Sequence, residues 1–347
     1  MLNNENPRLS ENNFDLLRLL FAGIVVFVHA YILSGYPELE VFNRMLSSSA
    51  AVRCFFVVSG FLIFMSFERS SSFSSYISKR IRRILPAYLT IVLFCAILLF
   101  FISSKSISAY FSIEWMKYFL ANITFLNFLR GTLPGVFDTN IYQTVNGALW
   151  TLKIEVMFYV SVPIFVFLFR RYNKIILIIF IYLLSVLWAE TFLYLGGQTG
   201  RNIYYELGRQ LPGQLRYFIS GAFFYYYLHY FERNFKYFLG ISVPILLLNQ
   251  YYSLPLLEPA ALASVVCFFA LFLYVGKFGK FGDFSYGVYI LHCPIIQLSI
   301  HFGVFRHNSW LFLTWVIALT TLGAIIMWHL IEKRFLLRNS HYVAANP

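Results

Sequence analysis

The sequence predicts an all-α polytopic membrane bundle, and three observations carry that reading. Hydrophobic residues make up 59% of the 347 and charged residues only 12%, against about 25% charged in an ordinary soluble domain. The apolar residues, including 40 Phe and 25 Tyr, gather into runs of membrane-spanning length. The mean hydropathy of +0.68 leaves too little polar surface to coat a soluble globule. Disorder is excluded by the same figures. The net charge of +12 does not point to nucleic acid, because Lys and Arg sit in short clusters between apolar runs, not along one basic face.

A helix needs about 20 apolar residues to cross the hydrocarbon core. On that measure the chain divides into about ten spans, near 14–33, 52–67, 84–102, 148–169, 175–195, 213–230, 236–251, 259–276, 284–303 and 310–332. The second and seventh are short, so a different tilt or a re-entrant course is open for them. Segment 110–129 is aromatic but interrupted by Glu114, Lys117 and Asn122, which suits a helix lying in the interface. The opening MLNNENPRLSENNFD has no basic n-region leading into a short apolar core, so the first apolar segment is expected to remain as an anchor.

An even number of spans puts both termini on one side. With both termini cytoplasmic, the inner loops and tails hold twice as many basic residues as the outer loops, as the positive-inside rule requires. One membrane domain, residues 1–347, is expected to account for the whole chain, with no soluble extension. Cys54, Cys95, Cys267 and Cys293 lie in apolar segments without metal-like spacing and read as buried small residues.

Ionisable groups inside spans cost roughly 2.5–3.5 kcal/mol each at a helix centre, so they mark candidate sites. The first span reads FDLLRLLFAGIVVFVHAY. Asp15, Arg18 and His29 fall three and eleven residues apart, which places them on one helix face, with His29 about three turns above Arg18. An end-of-helix ion pair with an interfacial histidine is the structural alternative. In the second span, AVRCFFVVSGFLIF, Arg53 stands near the outer end and Ser59-Gly60 permits close helix approach.

Next comes SKRIRRILPAY, in which Lys79, Arg80, Arg82 and Arg83 concentrate four positive charges. Such a cluster serves topology or anionic lipid, or else receives a phosphate-rich ligand, since guanidinium groups clamp phosphate bidentately. The fourth span opens NGALWTLKIEVMFY, where Thr151, Glu155 and Tyr159 form a polar stripe at i, i+4 and i+8. The ninth aligns Ser285, Tyr289, His292 and Ser299 along another inward face.

Taken in order, FDLLR…H with ten residues between Arg18 and His29, RCFFVVSGFLI, KRIRRILPAY, LWTLKIEVMFY, SYGVYILH and the closing IEKRFL make the sequence resemble acyltransferase family 3 of integral membrane proteins, which includes bacterial O-antigen O-acetylases. The resemblance runs over essentially the whole chain. Lys79 and Thr151 depart mildly from the Arg and Ser common in related sequences. No esterase-like domain is expected after it, so the membrane part would have to complete transfer itself or with other proteins.

The resemblance implies a multi-pass protein of the bacterial inner membrane. It would transfer an acyl group, usually acetyl, from cytoplasmic acyl-CoA to a sugar hydroxyl of a lipid-linked or envelope polysaccharide, such as lipopolysaccharide O-antigen, at the outer face. Acetyl-CoA is then a donor substrate; no bound cofactor or metal is implied. Catalysis is expected of His29, with Arg18, Asp15 and Glu155 in support. Arg53, Lys79, Arg80, Arg82, Arg83, Tyr289 and His292 are expected at the donor, and Tyr142, Asn146 and Trp150 at the acceptor. Histidine titrates near pH 6.5, which suits a general base, although a covalent acyl-histidine stays open. Arg18 and Arg53 could hold the pantetheine arm or an oxyanion. The rival reading is a transporter or flippase, for which intramembrane Arg, Glu and His are equally expected. It would call for Gly/Pro-broken helices in matching halves, and Pro163, Pro244 and Pro294 do not occupy related positions.

Overall fold

A computed structural model describes residues 6–336. The extreme termini, and with them part of the charge that orients the chain, lie outside the described residues. Among these residues the structure is all-helical. Its main helices are α1 (Phe14–Ser34), α2 (Ser48–Glu68), α3 (Phe73–Leu98), α4 (Ile113–Ile123), α5 (Trp150–Arg171) and α6 (Lys174–Thr199). They continue with α7 (Leu211–Tyr226), α8 (Leu228–Leu248), α9 (Glu258–Leu271), α10 (Ser285–His301) and α11 (Ser309–Met327). Six helical segments are long and apolar enough to cross a membrane: Phe14–Ser34, Ser48–Glu68, Phe73–Ile102, Gly147–Arg171, Lys174–Thr199 and Ser309–Phe335. The other four expected spans fall on α7 to α10.

Several boundaries differ from the sequence reading, among them the seventh span, expected short at 236–251 and found as a 21-residue helix from Leu228. The second span is a full 21-residue helix beginning at Ser48, not a short one. The third helix starts at Phe73, because the Ser72 hydroxyl accepts from the Ser75 N–H as an N-terminal cap. The basic cluster Lys79–Arg83 therefore lies on a helix and not in a loop before one. The expected span 213–230 breaks at Tyr227, between α7 and α8. Helix α4 has 11 residues, about 16 Å of rise, too short to cross a core of about 30 Å.

The chain packs as two compact units. The first takes the chain up to Leu17, Val52–Ile77 and Ile154–Lys277; the second takes Arg18–Ala51, Ser78–Lys153 and the described residues from Phe278 onward. In the first unit, Phe158 stacks on Phe218 at 4.0 Å between ring centroids, and Phe56 and Phe64 pack around that pair. Close approach of α2 and α7 makes this possible. A Cβ at Gly60 would collide with the Phe218 carbonyl, and one at Gly221 with the Val57 carbonyl. The start of α1 is anchored by Asn13, whose amide donates to the carbonyls of Phe269 (3.0 Å) and Leu273 (2.5 Å) at the end of α9. Those carbonyls have few helical partners of their own.

In the second unit α10 packs on α11, and Gly287 is the point of contact: an added Cβ would lie 2.9 Å from Ala324 Cα. Pro294 within α10 has no N–H to give the Ile290 carbonyl. The Asn146 amide fills that place, donating to it at 2.8 Å. One turn further, the buried Gln297 amide donates to the carbonyls of Tyr142 (2.6 Å) and Thr144 (2.8 Å) and accepts from Asn140 (2.8 Å). The segment before α5 is thus stitched to α10 by side-chain amides.

Candidate active site

His29 and His292 meet in the second unit. His29, on α1, is half-buried; His292, on α10, is 0% exposed. His29 Nδ1 lies 2.9 Å from His292 Nε2, and the ring centroids are 5.1 Å apart. The other nitrogen of His292, Nδ1, lies 3.3 Å from the Val288 carbonyl one turn back. Cys293 Sγ stands 3.3 Å from His292 Nε2 and 3.7 Å from His29 Nδ1. Tyr289 packs edge-on against His292, and its hydroxyl is held by Thr151 Oγ1 at 2.8 Å.

A second cluster in the same unit is ionic. The Arg18 guanidinium contacts Asp283 Oδ2 at 2.9 Å. Arg83 pairs with the same oxygen and reaches Glu332 Oε2 at 3.4 Å. Asp283 stands just ahead of α10, where its other oxygen accepts the Ser285 N–H at 3.1 Å, as carboxylates do at helix starts. Burial pushes the Asp283 carboxyl up, but Arg18, Arg83 and the Ser285 donors outweigh it and hold the group well below the usual carboxylate range. The basic cluster therefore divides. Arg83 turns inward to two carboxylates, whereas Arg82 is exposed and donates to the Phe335 carbonyl at 3.2 Å. Lys79 and Arg80 are half-buried.

Of the acceptor candidates, Tyr142 presents an exposed ring and Trp150 a half-buried one. Asn146 is buried and spends its amide on the Ile290 carbonyl and its oxygen on the Ala148 N–H. The remaining candidates belong to the first unit. Asp15 is half-buried in the first turn of α1. Glu155 accepts from the Tyr159 hydroxyl at 2.6 Å, so the predicted i, i+4 stripe exists there as a hydrogen bond. Arg53 reaches Glu258 Oε1 at 3.4 Å and lies over the Tyr217 ring, while the Tyr217 hydroxyl donates to Glu258 Oε2 at 2.7 Å.

The sequence does not single out Asp283, Glu332, Glu258 or Gln297, and it marks Cys293 only as a buried small residue. Glu332 does stand in the closing IEKRFL, and Asp283 directly precedes SYGVYILH. His29, His292 and Cys293 also form a set of possible metal ligands, with their ligand atoms within 4.8 Å of one another. Two nitrogens bound to one tetrahedral zinc stay roughly 3.3 Å apart, from metal–nitrogen bonds of about 2.0 Å. The 2.9 Å between the two rings is the spacing of a hydrogen bond.

A polar pair of histidines on apolar helices, with arginines anchored on carboxylates in the same unit, is an arrangement fit for proton transfer. Residues 11–329 match the acyltransferase domain family, and the chain belongs to it: this is a helical membrane acyltransferase of family 3. It is 28% identical to a protein of Shigella phage Sf6 named O-acetyl transferase, over 95% of this chain and 97% of that one. It is 26% identical to Nodulation protein 10 of Rhizobium leguminosarum bv. viciae, over 95% of this chain and 94% of that one. No solved structure matches.

Proposed function

We propose that the protein O-acylates an envelope glycan, taking the acyl group from cytoplasmic acyl-CoA and delivering it to a sugar hydroxyl at the outer face of the bacterial inner membrane. The likeness to a protein named O-acetyl transferase makes acetyl the first choice of acyl group, and O-antigen is the first choice of acceptor. Ten spans with both termini cytoplasmic complete the reading, with α7 to α10 adding four crossings to the six long ones. The observation that carries it is the histidine pair. His29 is half-buried and His292 fully buried.

His29 acts as general base. It takes the hydroxyl proton as the sugar oxygen bonds to the thioester carbonyl carbon. The C–S bond then breaks, and the departing sulfur carries the electron pair and recovers a proton. Lys79, Arg80 and Arg82 receive the phosphates of the donor, because their positive charge complements them. Arg18 and Arg83 meet at Asp283 in the same unit. Eleven residues separate Arg18 from His29, roughly 16 Å along the helix, a length of the order of an extended pantetheine arm. Tyr142 and Trp150 supply aromatic faces to the sugar.

Purified protein in proteoliposomes, given radiolabelled acetyl-CoA inside and a lipid-linked glycan, tests the proposal. Label on the glycan supports it. Glycan movement without label would establish the transporter instead.

A further inference from the structure

We propose that His292 is a positioning residue that sets the tautomer of His29, so that the Nε2 lone pair of His29 is the one free for catalysis. This rests on His29 being the base, and the geometry specifies how it is held there. A backbone carbonyl can only accept a hydrogen bond. The 3.3 Å contact of His292 Nδ1 with the Val288 oxygen therefore places a proton on Nδ1. His292 has no exposed surface, and among the described residues its ring nitrogens contact a carbonyl, a thiol and another imidazole, with no carboxylate to offset a charge. An unpaired buried charge is costly, so the ring is neutral and its Nε2 is bare. That bare nitrogen lies 2.9 Å from His29 Nδ1, which must then carry the proton between them. His29 is left protonated at Nδ1 and unprotonated at Nε2.

The consequence is mechanistic. Which nitrogen of a catalytic histidine is bare depends on what the other one hydrogen-bonds, and the wrong tautomer presents an N–H where a base is needed. The pair has a further use in the transfer step. When His29 Nε2 gains the sugar proton, the positive charge is shared through Nδ1–H with the lone pair of His292. No carboxylate is needed for that. The Val288 carbonyl, part of the α10 backbone, is the fixed end of the chain.

The test uses full-length protein labelled with 15N-histidine, in nanodiscs, and reads tautomers from 15N chemical shifts. Wild type should show His29 protonated at Nδ1 and bare at Nε2. In His292→Phe, His29 should shift to the Nε2–H form, with kcat lowered about 10²–10⁴-fold and the KM for acetyl-CoA little changed. In His292→Gln the carboxamide oxygen can accept from Nδ1–H, and both the tautomer and most of the rate should return. Wild-type His29 protonated at Nε2 would overturn the proposal, as would a His292→Phe protein that keeps the Nδ1–H form. Stoichiometric zinc in the purified protein, lost in Cys293→Ala, would also overturn it, because His29 Nδ1 would then be a ligand without a proton. If His292→Phe does not fold, the wild-type spectrum and the His292→Gln protein still decide. The spectra do not depend on activity, so a wrong base assignment, shown by an active His29→Ala, is a separate result.

Discussion

The two compact units treat their buried polar groups differently. In the first, charges are matched in local sets: Arg53 with Glu258 and Tyr217, Arg216 with Glu190, and Glu68 with Arg170 and Tyr226. Its large cavity, about 650 Å³, is apolar and lined by residues such as Ile178, Ile219, Phe223, Phe238 and Ile241. In the second, Arg18 and Arg83 converge on the buried Asp283, with Glu332 as a further partner of Arg83, and two histidines and a thiol crowd together, among the described residues, without a carboxylate. A buried imidazole pair and a buried ionic cluster in one unit are kept at a cost, and that marks a candidate site.

The comparison can be broken most sharply at His29. His29→Ala should lower acyl transfer by about 10²–10⁴-fold, the usual loss with a general base, while the protein still inserts and accumulates. Turnover above half of wild type in a labelled-acetyl assay would remove the second unit's claim to the chemistry. By contrast, Glu155→Gln in the first unit keeps an acceptor for Tyr159 and should change the rate far less.

Asp283 comes next. It is 3% exposed and faces both Arg18 and Arg83, and breaking such a buried set costs about 3–5 kcal/mol. Asp283→Asn should therefore lower the melting temperature in detergent more than Glu258→Gln does. Because its carboxyl is held low in the folded state, Asp283 contributes stability above the pKa of the unfolded group, about 4, and loses it as the pH falls below that. The gap between wild type and variant should be full at pH 7 and should narrow below about pH 4. A gap that does not vary with pH would show that the ion pairs are not its source.

Gly287→Val tests packing alone in the second unit. Overpacking against Ala324 should cost about 1–3 kcal/mol, read as a lower melting temperature. The smallest effect belongs to Arg82→Ala. Its side chain is exposed, so the lost phosphate contact is worth no more than about 1 kcal/mol, a few-fold in acetyl-CoA affinity by calorimetry. Arg83→Ala, which strips a partner from two carboxylates, should instead act mainly on stability. Equal affinity losses with unchanged stability would show that both arginines face the donor.

The class of protein was legible because membrane solvation acts on composition. Long apolar runs, scarce charge and the order of motifs from FDLLR to IEKRFL do not depend on how the helices pack. Periodicity along single helices also carried over, as the buried face of Ser285, Tyr289, His292 and Ser299 shows. Helix starts were less legible where a cap decides them, as at Ser72. What no run of sequence could supply was partnership. His29 and His292 stand 263 residues apart, and Arg18 meets Arg83 through Asp283. Hydrogen bonds and ion pairs reach about 3 Å, so only the tertiary packing of α1 against α10 decides which of several buried polar groups become neighbours.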